Sequence, residues 1–241
     1  DALFQKNERL WSDTPLSYFY VLVGILNDLR WMGRYEEMEF FMDRMTIISS
    51  TSEKLDTLVK FSTMRHSLNR YVDEGKFVEG AQFLKSNAVD IRKEARQLPF
   101  HMHGQLMFAI VRVWTMTENY SAALKIINSM LNQPVSSTNH SLHVLFQLMN
   151  LIVNALLNNR DYLHYALRSM ERKLKNDRKL HGTEQLILTI LKRWTVLKPI
   201  KGVDEQLALL NENPLEYQLM KELCLTHCLY ALKILKKKQL V

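Results

Sequence analysis

The chain has 241 residues, 47% of them hydrophobic and 24% charged, which excludes wholesale disorder. Seven Gly and five Pro are too few for a many-turned β fold and point to helices. The formal net charge of +7 resides entirely in residues 160–241, since acidic and basic residues balance through Asn159.

Along the chain, Leu3 to Trp11 reads as an incomplete leading helix, and the sequence, starting at Asp1 without Met, reads as a fragment of a longer protein. Ser12, Asp13 and Thr14 offer cap chemistry around Pro15, a good first helical residue. The run Tyr18 to Leu26 is the longest nearly unbroken apolar stretch, too short for the roughly 20 residues of a membrane span. No signal peptide is visible, and the expected location is cytoplasmic.

From Tyr18 onward a repeat takes over. Turn-like segments recur at Tyr35 (Gly-Arg-Tyr-Glu-Glu), Phe77 (Gly-Lys-Phe-Val-Glu), Tyr120 (Glu-Asn-Tyr-Ser-Ala) and Tyr162 (Arg-Asp-Tyr-Leu-His), with a degenerate copy at Val203. They lie 42, 43, 42 and 41 residues apart. Thirteen residues before each anchor stand Leu22, Met64, Met107, Met149 and Ile190. Nine before stand Leu26, Leu68, Val111, Val153 and Trp194. Six before stand Leu29, Tyr71, Trp114, Leu156 and Leu197. Offsets of four and three trace one helical face, here named helix A, and Trp114 is expected to be buried in it. After the anchor a helix B carries small residues at close crossings (Gly80, Ala81, Ala122, Ala123, Ala166) and ends near Met45, Val89, Leu131 and Leu174, with Pro134 stopping the third copy. Pro214 to Val241 reads as one long capping helix.

Asn119 to Ile127 (Asn-Tyr-Ser-Ala-Ala-Leu-Lys-Ile-Ile), closing at Pro134, resembles the second half of a tetratricopeptide repeat. The segments at Gly33 and Gly75 resemble its inter-helix turn. The likeness spans roughly residues 17–210. The family's repeat has about 34 residues, so longer helices or linkers are implied here. The resemblance implies an all-α, right-handed stack of about five helical hairpins in one domain, residues 1–241, with a C-terminal capping helix. It also implies a concave groove, lined by the A helices, that binds peptides or protein segments.

Candidate chemistry is sparse. His101 and His103 cannot face one ligand from a helix. His140 and His143 lack a third partner in sequence. Cys224, His227 and Cys228 share a face but need a fourth ligand for tetrahedral zinc. No phosphate loop or nucleophile motif occurs, so neither an enzyme, a metal nor a cofactor is expected. The two Cys suit a reduced chain.

A polar column is more informative. Eight residues before the anchors stand Asn27, Asn69, Arg112 and Asn154, with Thr195 in the fifth copy. Asn150 and Asn158 flank Asn154 by one turn on either side, and Arg65 and Asp73 flank Asn69. Asn is a poor helix former whose amide matches the needs of a peptide backbone, and Arg can grip a carboxylate with two prongs. Two readings follow. Asn27, Arg65, Asn69, Arg112, Asn150, Asn154 and Asn158 line a solvent-open peptide groove, with Phe108, Met116 and Phe146 as neighbouring apolar pockets. Alternatively, they bond to adjacent repeats and hold the stack in register.

The function expected is a non-enzymatic interaction module, or scaffold, holding a peptide or helix of a partner protein. The alternatives are a nucleic-acid-binding helical repeat using the basic C-terminal part (Arg168, Arg172, Lys173, Lys175, Arg178, Lys179, Lys233, Lys236 to Lys238) and a purely architectural, oligomerising array. The same basic residues also suit a solvated helix face and a helix C-terminus.

Overall fold

The structure, a computed structural model, describes residues 14–49, 52–88, 91, 94–133, 140–177, 181–198 and 202–239, without the side chains of 49, 175–177 and 233–239. The leading segment Leu3 to Trp11, the helix stops expected at Val89 and Pro134, and the side chains of Lys175, Arg178, Lys179, Lys233 and Lys236 to Lys238 lie outside the described residues. The chain divides into two compact units, residues 1–109 and 110–241.

Among the described residues the secondary structure is helical, without a strand. The helices are α1 (Pro15–Trp31), α2 (Tyr35–Ser49), α3 (Glu53–Asp73), α4 (Phe77–Ser86), α5 (Phe100–Met116), α6 (Tyr120–Leu131), α7 (His140–Leu156), α8 (Arg160–Asp177), α9 (Gly182–Thr195), α10 (Val203–Asn211), α11 (Pro214–Glu222) and α12 (Leu225–Gln239). Three residues join α1 to α2, α3 to α4, α5 to α6 and α7 to α8. The extra length of the repeat therefore lies outside these turns, in long helices such as the 21 residues of α3 and in the connections from one hairpin to the next, such as residues 87–99.

In the first unit α1 packs on α2, α2 on α3, α3 on α4, and α1 also meets α3. In the second, each helix from α6 to α12 packs on the next, α7 also meets α9 and α12, and α9 meets α11. The apolar columns explain this. Leu26, Leu68, Val111, Val153 and Trp194 are all fully buried, and burying one large apolar side chain contributes roughly 1.5–3 kcal/mol. Trp114 departs from expectation: it is half-buried. A Trp114→Ala loss of the size expected for a fully enclosed ring no longer follows, because exposed ring area gains little on folding.

A recurrent turn sets the hairpins. At each, the residue two past the helix end adopts a left-handed backbone: Gly33 (φ 72°), Gly75 (75°), Glu118 (59°), Asn158 (61°) and Leu197 (54°). In each case its N–H and the next one close back on the helix, as in Gly75 N–H to Val72 O (3.1 Å) and Lys76 N–H to Tyr71 O (2.8 Å). These are Schellman closures, which cap the last carbonyls of the A helix. Only Gly adopts this conformation without strain, and Asn tolerates it. Leu197 does neither, and it is partly exposed. Leu197→Gly should raise stability by about 1 kcal/mol, read by urea unfolding; no gain would show that the turn carries no strain.

The turn also corrects the alignment of the repeats. Tyr35, Phe77 and Tyr120 stand two residues after the left-handed position and open α2, α4 and α6, but Tyr162 stands four after Asn158, two residues inside α8. Counted from the turn, Asn154 falls two residues away from the position shared by Asn27, Asn69 and Arg112. That is slightly more than a half-turn around a helix.

The expected single capping helix is broken. α11 ends at Glu222 and α12 starts at Leu225, with Cys224 at φ 48° between them. No Gly or Pro lies at the break, and a buried cation packs against it. Arg112 Nη2 donates to Lys221 O at 3.2 Å, Nε to Cys224 Sγ at 3.4 Å, and Nη1 lies 3.9 Å from Glu222 Oε2. The Lys221 carbonyl, which also accepts the Cys224 N–H at 3.1 Å, thus gains a charged donor.

Candidate functional site

The residues expected to form an open groove are mostly interior. Asn69, Arg112, Asn150 and Asn154 are buried, and so is Arg65. Phe108 and Phe146, expected as pockets, are core residues, and Met116 is half-buried. The expectation of solvent-open side chains is therefore corrected, and the partners explain why.

In the first unit, Arg65 of α3 donates to Gln105 Oε1 of α5 at 2.6 Å and to Asn27 Oδ1 of α1 at 3.4 Å, with His66 Nε2 at 2.6 Å. Asn27, half-buried, thus serves as an acceptor for a structural cation. Close by, Arg30 of α1 donates through Nε to Asp73 Oδ2 of α3 at 2.7 Å, a pair almost wholly withdrawn from solvent. His66 lies within this positive surround. Burial, then Arg65 and Arg30, hold its imidazolium form well below the ordinary range. Because the folded state resists the proton that the unfolded chain accepts near pH 6.5, stability is full above that pH and falls as pH drops below it. The slope approaches about 1.4 kcal/mol per pH unit. His66→Leu should flatten that slope in urea unfolding between pH 7 and 5; an unchanged slope would assign the effect elsewhere.

In the second unit the amides form a ladder. Asn159 Nδ2 donates to Asn154 Oδ1 (2.9 Å), Asn154 Nδ2 to Asn150 Oδ1 (2.8 Å), and Asn150 Nδ2 to the Tyr162 hydroxyl (2.7 Å). Asn154 O also accepts the Schellman N–H of Asn159 at 2.9 Å. The ladder ties the end of α7 to its own turn and to the first turn of α8, so these Asn brace one hairpin. Asn158 is exposed at the turn, where its Oδ1 accepts from Arg160 Nε at 3.0 Å.

The ladder ends at an open surface cavity of about 460 Å³. Leu131 of α6, Gln147, Asn150 and Leu151 of α7, and Tyr162, Tyr165, Ala166, Ser169, Met170 and Lys173 of α8 line it. The α8 residues recur at three- and four-residue spacing, one face of that helix. Ala166 and Ser169 are the small residues of its α8 wall. Of the sequence-derived site residues it includes Asn150 alone. Tyr162 is 45% and Tyr165 74% exposed, an unusual display of ring surface. Gln147 Oε1 is buried and finds no donor among the described residues. A buried acceptor left in that state costs roughly 1–3 kcal/mol, which a suitable ligand relieves. Burial and then Lys173 and His140 push the nearby His143 down, so it stays neutral at pH 7 while Lys173 supplies the charge.

Sequence reasoning missed Gln147, Tyr165, Ser169 and Met170 as site residues. The available signal was the pair of small residues Ala166 and Ser169 one turn from two tyrosines. Among the described residues no cluster of His, Cys, Asp and Glu is placed to hold a metal, and no helix is long and apolar enough to cross a membrane. Comparison with protein-family models, with curated proteins and with solved structures returns no match.

Proposed function

We propose that this chain is a tetratricopeptide-like helical array that holds a segment of a partner protein, without covalent chemistry, and that the α6–α7–α8 cavity is where it does so. The supporting observation is that cavity, with two exposed tyrosines at its wall and an unpartnered buried acceptor on Gln147. Contacts of α1 with α3 and of α7 with α9, beside those of successive helices, are what a stacked hairpin array produces. The contact face differs from the groove first expected. Its walls come from the B helices α6 and α8 together with Gln147, Asn150 and Leu151 of the A helix α7.

The binding mechanism is anchoring. A partner side chain enters the preformed cavity and exchanges water for apolar walls, while polar groups at the rim fix its orientation. A photo-crosslinking amino acid in place of Tyr165, in the full chain inside cells, tests this. The reading requires a discrete polypeptide adduct that is absent when the same group replaces the exposed Val78 of α4. Crosslinking to nucleic acid, or to nothing, would contradict it and favour the nucleic-acid-binding or architectural alternative respectively.

A further inference from the structure

Resting on that reading, we infer that the α6–α7–α8 cavity takes an aromatic side chain with a hydrogen-bond donor, presented by an acidic segment of the partner. Three observations carry this.

The first is the lining. Leu131, Leu151, Ala166 and Met170 make an apolar floor beside the Tyr162 and Tyr165 rings. Ring-on-ring and sulfur-on-ring contacts both favour an aromatic occupant. The second is polarity. The amide of Asn150 already accepts from Asn154 and donates to Tyr162, so it makes no demand on a ligand. Gln147 Oε1 lacks a donor but lies beneath the wall, so an indole N–H, which donates and does not accept, reaches it only when the amide turns outward.

The third is charge. α6 and α7 contain no carboxylate. On α8, Glu171 is held in an ion pair by Lys192 of α9, and Asp161 and Asp177 stand at the two ends of the helix. Lys173 lines the cavity with no ion-pair partner among the described residues, and Arg168 and Arg172 are exposed on the same helix. A carboxylate flanking the anchor therefore meets uncompensated positive charge, and a basic flank meets repulsion.

The probe is indole-3-propionate, which joins the ring, the donor and one carboxylate, titrated into the full chain and followed by methyl NMR. The expected result is a saturable shift of the Leu131, Leu151 and Met170 methyls that Ser169→Trp abolishes. Tryptamine, the same ring carrying a cation, should bind roughly two- to fivefold more weakly than the acid, and Lys173→Glu should reverse that order. No shift at these methyls, or a shift in which tryptamine equals or exceeds the acid in the wild-type chain, overturns the inference. The two readings fail separately. A polypeptide adduct at Tyr165 with no indole binding removes the occupant but keeps the partner. Indole binding with no adduct removes the partner and leaves a site for small aromatic acids.

Discussion

Arg112→Ala is expected to lower the stability of the second unit by roughly 3–5 kcal/mol. The guanidinium is 1% exposed, donates to Lys221 O and faces Glu222. Removing it takes a charged donor from the Lys221 carbonyl and a cation from beside Glu222, and opens a void in the interior. The effect should be local as well as large. Amide hydrogen exchange should accelerate first in α11 and α12, since the left-handed Cys224 joining them persists only while its surroundings enforce it. A loss under about 1 kcal/mol in urea unfolding would show that the helix break stands without Arg112.

Arg30→Ala is the second large effect, again roughly 3–5 kcal/mol, because it strands the Asp73 carboxylate where water does not reach. The double variant Arg30→Met with Asp73→Leu separates the attraction of the pair from the penalty of breaking it. Replacing both charges by apolar groups should return stability to within about 1 kcal/mol of wild type. If the double variant is as unstable as Arg30→Ala, the pair itself, and not the orphaned carboxylate, carries the stability. The two sites lie in different units, and their effects should add within about 0.5 kcal/mol.

Much of the fold was legible in the sequence, for physical reasons that particular residues show. Leu26, Leu68 and Val111 are buried at one position, seven residues before the left-handed turn residue, whereas Val153 and Trp194, five and three before theirs, are buried from other positions on their helices. Tyr35, Phe77 and Tyr120 each open a helix, since a left-handed residue two before them ends the previous one, while Val203 opens α10 directly after the left-handed Gly202. The fourth copy misled because Tyr162 looks like the other anchors, while Asn158 is the left-handed residue. An Asn at a helix end was the better marker, as it tolerates that backbone.

The candidate site was less legible. Spacing shows that Asn150 and Asn154 share a helix face, but not whether that face meets water or another amide. Here Asn154 fills both roles of Asn150's neighbour, donor to one residue and acceptor from another, and the stripe closes on itself. The break at Cys224 was invisible for a related reason. It packs against Arg112, more than one hundred residues away in sequence, and no local propensity encodes that contact. The cavity is a shape, with Ala166 and Ser169 as the small residues of its α8 wall, which a pattern of apolar residues does not register.

If a partner segment anchors in the α6–α7–α8 cavity, as proposed, filling that cavity must weaken its binding. The most direct measurement is the affinity of the segment crosslinked at Tyr165, made as a free peptide, for the wild-type chain and for Ser169→Trp. Ser169 is exposed on α8, so the indole fills the cavity while the fold stays within about 1 kcal/mol of wild type. The account predicts at least a tenfold loss of affinity, about 1.4 kcal/mol of binding free energy, with an unchanged unfolding midpoint. Equal affinity for the two chains would contradict it.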